Sequence, residues 1–553
     1  MAADMIIING NFITFTDENP NANACAIKDG HILAVGETAD MRDLADMNTQ
    51  IIDAGKHSVL PGFIDSHVHL FGGSAELDYL DLYGVKGIDN LTDRVRQWEK
   101  SCPDDTMVFA VQADYNIIAS GKQTTRHDLD KVLPDRPFAM FAADHHTIWA
   151  NTKALELAGI LNGGIVDKGA EIVIGADGKA AGELREPGAY APVLKLTRYG
   201  GRDMIGLVTG RNPDPAANAT ERRNDADAIA RGFKHCASHG ITGLHNMDGN
   251  IYTLELLKEL EQRGDLLCRT EVPFHFKNFD ELDRFEEAAT MRRDFTGDWV
   301  WCNRVKMFVD GVVESSTALM LDKYPGLDTI GDAVFEEDHF KAACVKADAM
   351  QFQISVHAIG DRAIRQTLDG YALAQQTNGK RDSRHRIEHI EVLHPDDLPR
   401  FAELGVVASI QPGHAPWGVY FSEESVSRML HPHQIPLAYA WQDIRQSGAR
   451  VIFSTDWPVI PVDVMPNIKS AVAPRRLSPP WRDQTQSLMD TLESYTSGNA
   501  WVEFNEDKKG KLSPGMMADI VVMSHDLTTM NPDELDQSKA QTTICGGKIT
   551  YQA

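Results

Sequence analysis

Eight short apolar segments punctuate the chain: VLPGFIDSH (59–67), ITGLHN (241–246), TEVPFHF (270–276), RVKMFVDG (304–311), QISVHAIG (353–360), HRIEHIE (385–391), VVASIQP (406–412) and VIFSTDW (451–457). Continuous apolar runs of this length suit strands buried on both faces of a parallel sheet, whereas alternating runs suit half-solvated ones. Between the later segments lie HFKAACVKADAM, DRAIRQTLDGYALAQQ and PDDLPRFAELG, whose periodicity fits crossover helices. Strand and helix in alternation make βα units, and eight such strands are what a closed (β/α)8 barrel requires. The expectation is an α/β chain built on a TIM barrel spanning residues 60–504.

One spacing departs from that plan. The first segment ends at 67 and the second begins only at 241. The intervening chain is too long for a structureless loop and carries strand-like runs of its own, MVFAVQAD and FAMFAAD. Residues of about 75–220 are therefore read as an insertion, and because it leaves the carboxyl end of a barrel strand it is expected over the active-site face. The two ends of the chain share a different style. Residues 5–60 hold MIIIN, FITF and ACAIKDGHILAVG, with Asp29-Gly30 between two apolar runs, and the carboxyl end holds KGKLSPGMMADIVVMS and TTICGGKITY. Turn pairs between short β-rich runs predict hairpins, and chain termini often lie close together. Residues 1–59 and 505–553 are expected to form one small β-sandwich.

At 553 residues the chain exceeds what one core usually serves. Lys and Arg total 54 against 80 Asp and Glu, a formal charge of -26. Phosphate contacts need clustered cations, so a nucleic-acid surface is not expected, and an anionic membrane is disfavoured on the same ground. The seven cysteines, at 25, 102, 236, 268, 302, 344 and 545, form no C-x-x-C pair and read as reduced thiols. The start MAADMIIINGNFITF has no basic region, and no run of 18 apolar residues occurs. A soluble, cytoplasmic protein is expected.

The chemistry-bearing residues cluster at the predicted strand ends. His67-Val68-His69 closes the first segment, and alternate residues on a strand point the same way, so two imidazoles one residue apart can converge on one ion. Lys306 lies in the fourth strand, His357 ends the fifth, His389 the sixth and Asp456 the eighth. Each has a plain alternative: a snorkelling lysine, a core or capping histidine, an N-cap aspartate before Pro458. Five of eight strands delivering a metal-competent group to one barrel mouth, the face where barrel enzymes place catalysis, argue against five coincidences.

At these residues the chain resembles the amidohydrolase superfamily, and more narrowly its branch of N-substituted formamide deformylase-like and YtcJ-like hydrolases. The resembling stretches are DGHILAVG, VLPGFIDSHVHL, WANTKALELAGI, RVKMFVDG, ISVHAIGDRAI, RIEHIEVL, FSTDWPV and GKLSPGMMADIVVM. The resemblance implies that His67, His69, Lys306, His357, His389 and Asp456 fall on metal and catalytic positions. Lys306 then matches a lysine that related enzymes carboxylate to bridge two metals. His67, His69 and Asp456 would hold one ion, His357 and His389 the second; a single-metal form using His67, His69, His357 and Asp456 is the alternative. Zinc or another divalent ion would lower the pKa of bound water from about 16 toward about 7, with Asp456 as general base and then acid.

Within the insertion, Asp144-His145-His146-Thr147 stands where the branch has Asp-Gly-His-Ser, so His146 takes the family's histidine position as a candidate catalytic or substrate-binding residue, and His145 replaces a glycine. Glu186, in GELREP, matches a glutamate of the branch; its plain reading is a solvated loop charge. Asp310, Arg386 and Glu388 read as supporting residues. Trp149, Trp417 and Trp457 are candidate pocket-lining rings, each with a core role as the plainer alternative.

The expected activity is metal-dependent hydrolysis of a non-peptide C–N bond in a small molecule, the resemblance pointing to an N-substituted formamide, and a homodimer is the form common among related enzymes. The rivals are a hydrolase of cyclic amides, carbamates or esters, a lyase or isomerase on the same scaffold, and a non-catalytic assembly protein. Fold and ligands do not separate the first two from the main reading, and six filled ligand positions argue against the last.

Overall fold

Gly62 splits the apolar run 59–67, expected as one barrel strand, into two strands with different partners. Ser58–Pro61 pairs antiparallel with Ile520–Met523 near the other end of the chain, and Phe63–Val68 pairs parallel with Ile241–Asn246. A Cβ on Gly62 would stand 2.2 Å from Cγ2 of Thr242, so the crossing needs a residue without a side chain. The computed structural model describes residues 2–18, 21–143, 145–166, 170–418 and 422–553.

The chain divides into two compact units, Met1–His69 with Phe233–Ala553, and Leu70–Gly232. In the first, eight parallel strands follow one another. β1 is Phe63–Val68 and β2 Ile241–Asn246; β3 comes in two pieces, Arg269–Glu271 and Phe274–His275, and so does β4, as Val300–Trp301 and Arg304–Phe308. β5 is Gln353–Ala358, β6 Arg386–His389, β7 Val407–Ile410 and β8 Val451–Phe453. Each pairs parallel with the next. A bridge between Val68 and Trp457 returns β8 to β1. The break in β3 falls at Pro273, which has no N–H to give the ladder. The segments read as crossovers are helices: Glu337–Ala349, Asp361–Asn378 and Leu398–Leu404. The architecture is that of a TIM-type barrel.

In the same unit the chain ends meet in two further sheets. One has the order His31–Gly36, Ala24–Lys28, Met5–Ile8, Gln50–Asp53; the other runs Asn11–Phe12, Ser58–Pro61, Ile520–Met523, Ala540–Cys545, Lys548–Gln552. Ile7, Ile27, Val59, Leu512, Ile520 and Ile544 share one buried cluster drawn from both. Asp29 and Gly30 both have positive φ, 50° and 78°, as a two-residue type I′ hairpin turn demands.

The Leu70–Gly232 unit has its own six-stranded sheet, ordered Glu171–Ile174, Ala180–Arg185, Thr147–Ala150, Phe138–Ala142, Val108–Ala113, Leu80–Asp81. Leu91, Val108, Met140 and Trp149 lie in its core. All seven cysteines are buried and unpaired with one another. Among the described residues no helix is long and apolar enough to cross a membrane.

Candidate metal centre

His67 is the next-to-last residue of β1, and two hydrogen bonds, from His69 N to Trp457 O (2.7 Å) and from Asp456 N to His67 O (2.9 Å), lay the chain after β8 against it. Residues from the two extremes of the barrel sequence therefore become neighbours. Nε2 of His67 and Nε2 of His69 each lie 3.3 Å from Oδ1 of Asp456. The His67 and His389 rings are 4.8 Å apart, and those of His389 and His357 4.5 Å. His67, His389 and Asp456 each offer a ligand atom within 4.8 Å of the others. Asp456, His389 and Ile390 have φ of 66°, 75° and 54°. Left-handed backbone at non-glycine residues is costly and concentrates where a site dictates geometry.

The outer nitrogens of these rings are held. Nδ1 of His67 is 2.8 Å from Glu388 Oε2, Nδ1 of His69 is 2.7 Å from Asp248 Oδ1, and Nδ1 of His389 is 2.9 Å from Gln411 Oε1. Carboxylate and amide partners of this kind fix the tautomer and ring orientation of ligating histidines. Burial pushes His67 down to about 4, so its single proton lies on Nδ1 toward Glu388 and its Nε2 carries a lone pair. Burial would raise Asp456, but the facing His67 and the other imidazoles hold it well below the carboxylate range. Its Oδ1 faces both Nε2 atoms at 3.3 Å, and of the two only a protonated His69 has a hydrogen to offer it. Burial alone would lower His69 as well, yet Asp248 and Asp456 on either side raise it to about 10. The carboxylates of this site thus call for positive charge, and His69 takes a proton to supply it.

Lys306, on β4, is fully buried, and its Nζ has no hydrogen-bond partner. It lies 4.6 Å from the Phe308 ring centre. Burial pushes it down to about 8. His357, next to last in β5, has Nε2 3.0 Å from the carbonyl of Gly311. Asp310 accepts the N–H groups of Leu319, Ile359 and Gly360 at 2.9–3.1 Å, pinning the chain after β4 to the turn after β5. Arg386 donates to both oxygens of Glu388 at 2.5 and 2.8 Å, and Ser355 Oγ to Oε1 at 2.6 Å.

Sequence reasoning missed His414, just after β7. Its Nε2 is 3.8 Å from Asp456 Oδ2, its Nδ1 3.7 Å from Glu391 Oε1, and its ring lies parallel to His389 at 6.2 Å. Tyr439 OH donates to the other oxygen of Glu391 at 3.0 Å. The available signal was a histidine four residues beyond the seventh barrel strand, in QPGH. Trp417 packs among Tyr439, Trp441 and Trp481, and Trp457 faces His235.

In the Leu70–Gly232 unit, His146 Nδ1 lies 3.0 and 3.1 Å from the two oxygens of Glu186. His145 Nε2 is 2.5 Å from Glu76, and its φ of 62° is the left-handed conformation that a glycine would adopt freely. Glu186 shares that conformation at 64°. Trp149 is buried, edge-on to Tyr115 at 5.0 Å. Asp144 lies outside the described residues.

The profile of the amidohydrolase family matches residues 50–551. The putative amidohydrolase YtcJ of Bacillus subtilis is 25% identical, covering 99% of each chain. The N-substituted formamide deformylase of Arthrobacter pascens is also 25% identical, over 99% of this chain and 98% of its own. Among solved structures, a metal-dependent hydrolase of Pyrococcus furiosus superposes with a TM-score of 0.70 and 26% identity, covering 94% of this chain and 98% of that one. A match over nearly the whole sequence, on a barrel whose strand ends gather these histidines and carboxylates, shows that the chain belongs to the amidohydrolase family, in the branch of YtcJ and N-substituted formamide deformylase, and is an amidohydrolase enzyme.

Proposed function

We propose that the enzyme hydrolyses the C–N bond of a small amide, of the N-substituted formamide class, at a divalent-metal site formed by His67, His69, Lys306, His357, His389 and Asp456. The observation that carries this reading is the approach of Asp456 Oδ1 to Nε2 of His67 at 3.3 Å, two electron-pair donors with no hydrogen between them. A cation between them satisfies both, and the donor set of imidazole and carboxylate suits zinc. His67, His69 and Asp456 would hold one ion, and His357 and His389 a second, with a carboxylated Lys306 between the two. A neutral amine is what takes up CO2, and Lys306 at about 8 is far closer to neutrality than an exposed lysine.

A divalent ion there supplies Lewis acidity, polarising the substrate carbonyl and easing deprotonation of water. Asp456 accepts the proton of the attacking water on Oδ2, the oxygen turned away from Nε2 of His67, and returns it to the departing nitrogen. Glu388 and Asp248 hold His67 and His69 in place through the cycle. His146, oriented by Glu186, is assigned to substrate binding on the sequence resemblance. The named activity of the Arthrobacter pascens relative supplies the substrate class.

The test is a screen of the zinc-loaded enzyme against formamides, N-acyl amines, cyclic imides and esters, repeated after chelation and after metal is restored. Turnover of formamides that vanishes with chelator and returns with zinc supports the assignment. Protein with metal content near zero that still hydrolyses its substrate refutes it.

A further inference from the structure

A line of buried polar side chains runs through the barrel to His67 from its opposite end. Lys509 Nζ is 2.6 Å from Glu503 Oε1, and Glu503 Oε2 is 2.9 Å from His245 Nε2. His245 Nδ1 is 3.0 Å from Arg386 Nη1. Arg386 then chelates Glu388, whose Oε2 is 2.8 Å from Nδ1 of His67. No side chain of the six is more than 3% exposed. The far end is fixed by contacts at the starts of strands: Gln353, opening β5, donates to Val502 O at 2.7 Å, and Arg384, before β6, donates to Trp501 O. Glu503 and Lys509 also line a cavity of about 290 Å3 with Arg269 and Asn303, beside the first residues of β3 and β4.

The line admits one placement of its protons. An arginine has only donors, so His245 Nδ1 must accept from Arg386 and the His245 proton must sit on Nε2, where Glu503 accepts it. Burial keeps His245 neutral, pushed down to about 3, and the Lys509 charge with the His245 hydrogen bond overrides burial to hold Glu503 down at about 2. Glu388, loaded by Arg386 and Ser355, accepts the Nδ1 proton of His67. The lone pair of His67 Nε2 is thereby aimed at Asp456. Charges alternate along the line, Lys509 and Arg386 against Glu503 and Glu388, so no buried charge lacks a counterion.

We propose that Lys509, Glu503 and His245 are positioning residues for the metal site, fixing through Arg386 and Glu388 which nitrogen of His67 carries the proton and where its lone pair points. The inference rests on the metal-site reading given above. A glutamine at 503 can still accept the Nε2 proton of His245, whose tautomer Arg386 dictates, but it removes the charge that Lys509 faces and weakens the hold on His245, so Arg386, and with it Glu388 and His67, is less firmly placed.

The test uses the full-length chain loaded with cobalt(II), with affinity measured by chelator competition and ligand geometry by the visible absorption of the bound ion. Partners behind metal-ligating histidines are worth about 10–100-fold in metal affinity. Glu503→Gln is expected to weaken cobalt binding by about that factor and to change the absorption at full loading. Thr543→Val, which removes a buried hydroxyl that donates to Ala237 O at 2.7 Å and touches no member of the line, is expected to lower thermal stability while leaving affinity and spectrum at wild-type values. If Glu503→Gln fails to fold, Lys509→Met carries the same test, with a smaller shift in the same direction. A folded line variant with wild-type affinity and spectrum overturns the proposal, as does an equal change in Thr543→Val. Wild-type protein that takes up no cobalt overturns the metal-site reading itself, and this inference with it.

Discussion

Asp456 Oδ1 and His67 Nε2 stand 3.3 Å apart, an anionic oxygen facing an imidazole whose only proton is bound elsewhere, to Glu388. Neither atom hydrogen-bonds the other. The pair is arranged for something between them, and it divides Asp456 into an oxygen that faces the imidazoles and an oxygen left for proton transfer.

Asp456→Asn separates these two tasks. The amide oxygen can still face His67 and His69, but the side chain no longer takes a proton. Metal content measured by mass spectrometry is expected to stay near wild type, and turnover to fall by about a hundredfold or more. Turnover within a few-fold of wild type would show that another group carries the proton.

Metal uptake is expected to depend on pH through His69. In the metal-free chain it sits at about 10, well above its ordinary 6.5, so it is protonated at neutral pH. An ion bound through Nε2 displaces that proton. Each unit of pH below about 10 should therefore weaken binding by about tenfold, and the dependence should flatten above that value. Chelator competition at several pH values between 7 and 9, corrected for the chelator's own protons, reads the slope; a flat profile would rule out this exchange.

At pH 8 about half of Lys306 is neutral, a consequence of its burial. Protein equilibrated with carbon-13 bicarbonate and zinc is expected to show a carbamate carbon resonance that Lys306→Met lacks, and the variant is expected to bind less metal per chain. A wild-type spectrum without that resonance would remove the carboxylated lysine from the site.

Gly360, after β5, leaves no room for a side chain. An added Cβ would lie 2.1 Å from the carbonyl oxygen of Leu319, whose N–H Asp310 holds. Gly360→Ala should push the chain after β4 off Asp310 and destabilise the fold by about 1–3 kcal/mol, the usual range for overpacking. Denaturant unfolding measures this, and stability equal to wild type would mean that the loop yields at no cost.

The barrel strands were legible because burial on both faces leaves a continuous apolar run, a pattern that survives in one dimension. All eight segments hold a parallel strand, although Gly62 gives half of the first to the terminal sheets and Pro273 cuts the third. His67, His69, His389 and Asp456 could be picked out because each falls at a strand end. Asp248, His245, Glu503 and Lys509 could not: 179 residues separate His69 from Asp248 and 258 separate His245 from Glu503, and only the closed sheet brings them together. His414 lies four residues past the end of β7, in the short turn Pro412–His414, where a loop histidine draws little notice.

The return of Trp457 to Val68 has a temporal meaning as well as a spatial one. His67 leaves the ribosome early and Asp456 almost four hundred residues later, and synthesis at about 5–20 residues per second spaces them by tens of seconds. Through that interval the first histidines lack the carboxylate that faces their Nε2 atoms. The proposed ligand set is therefore complete only once the last strand docks.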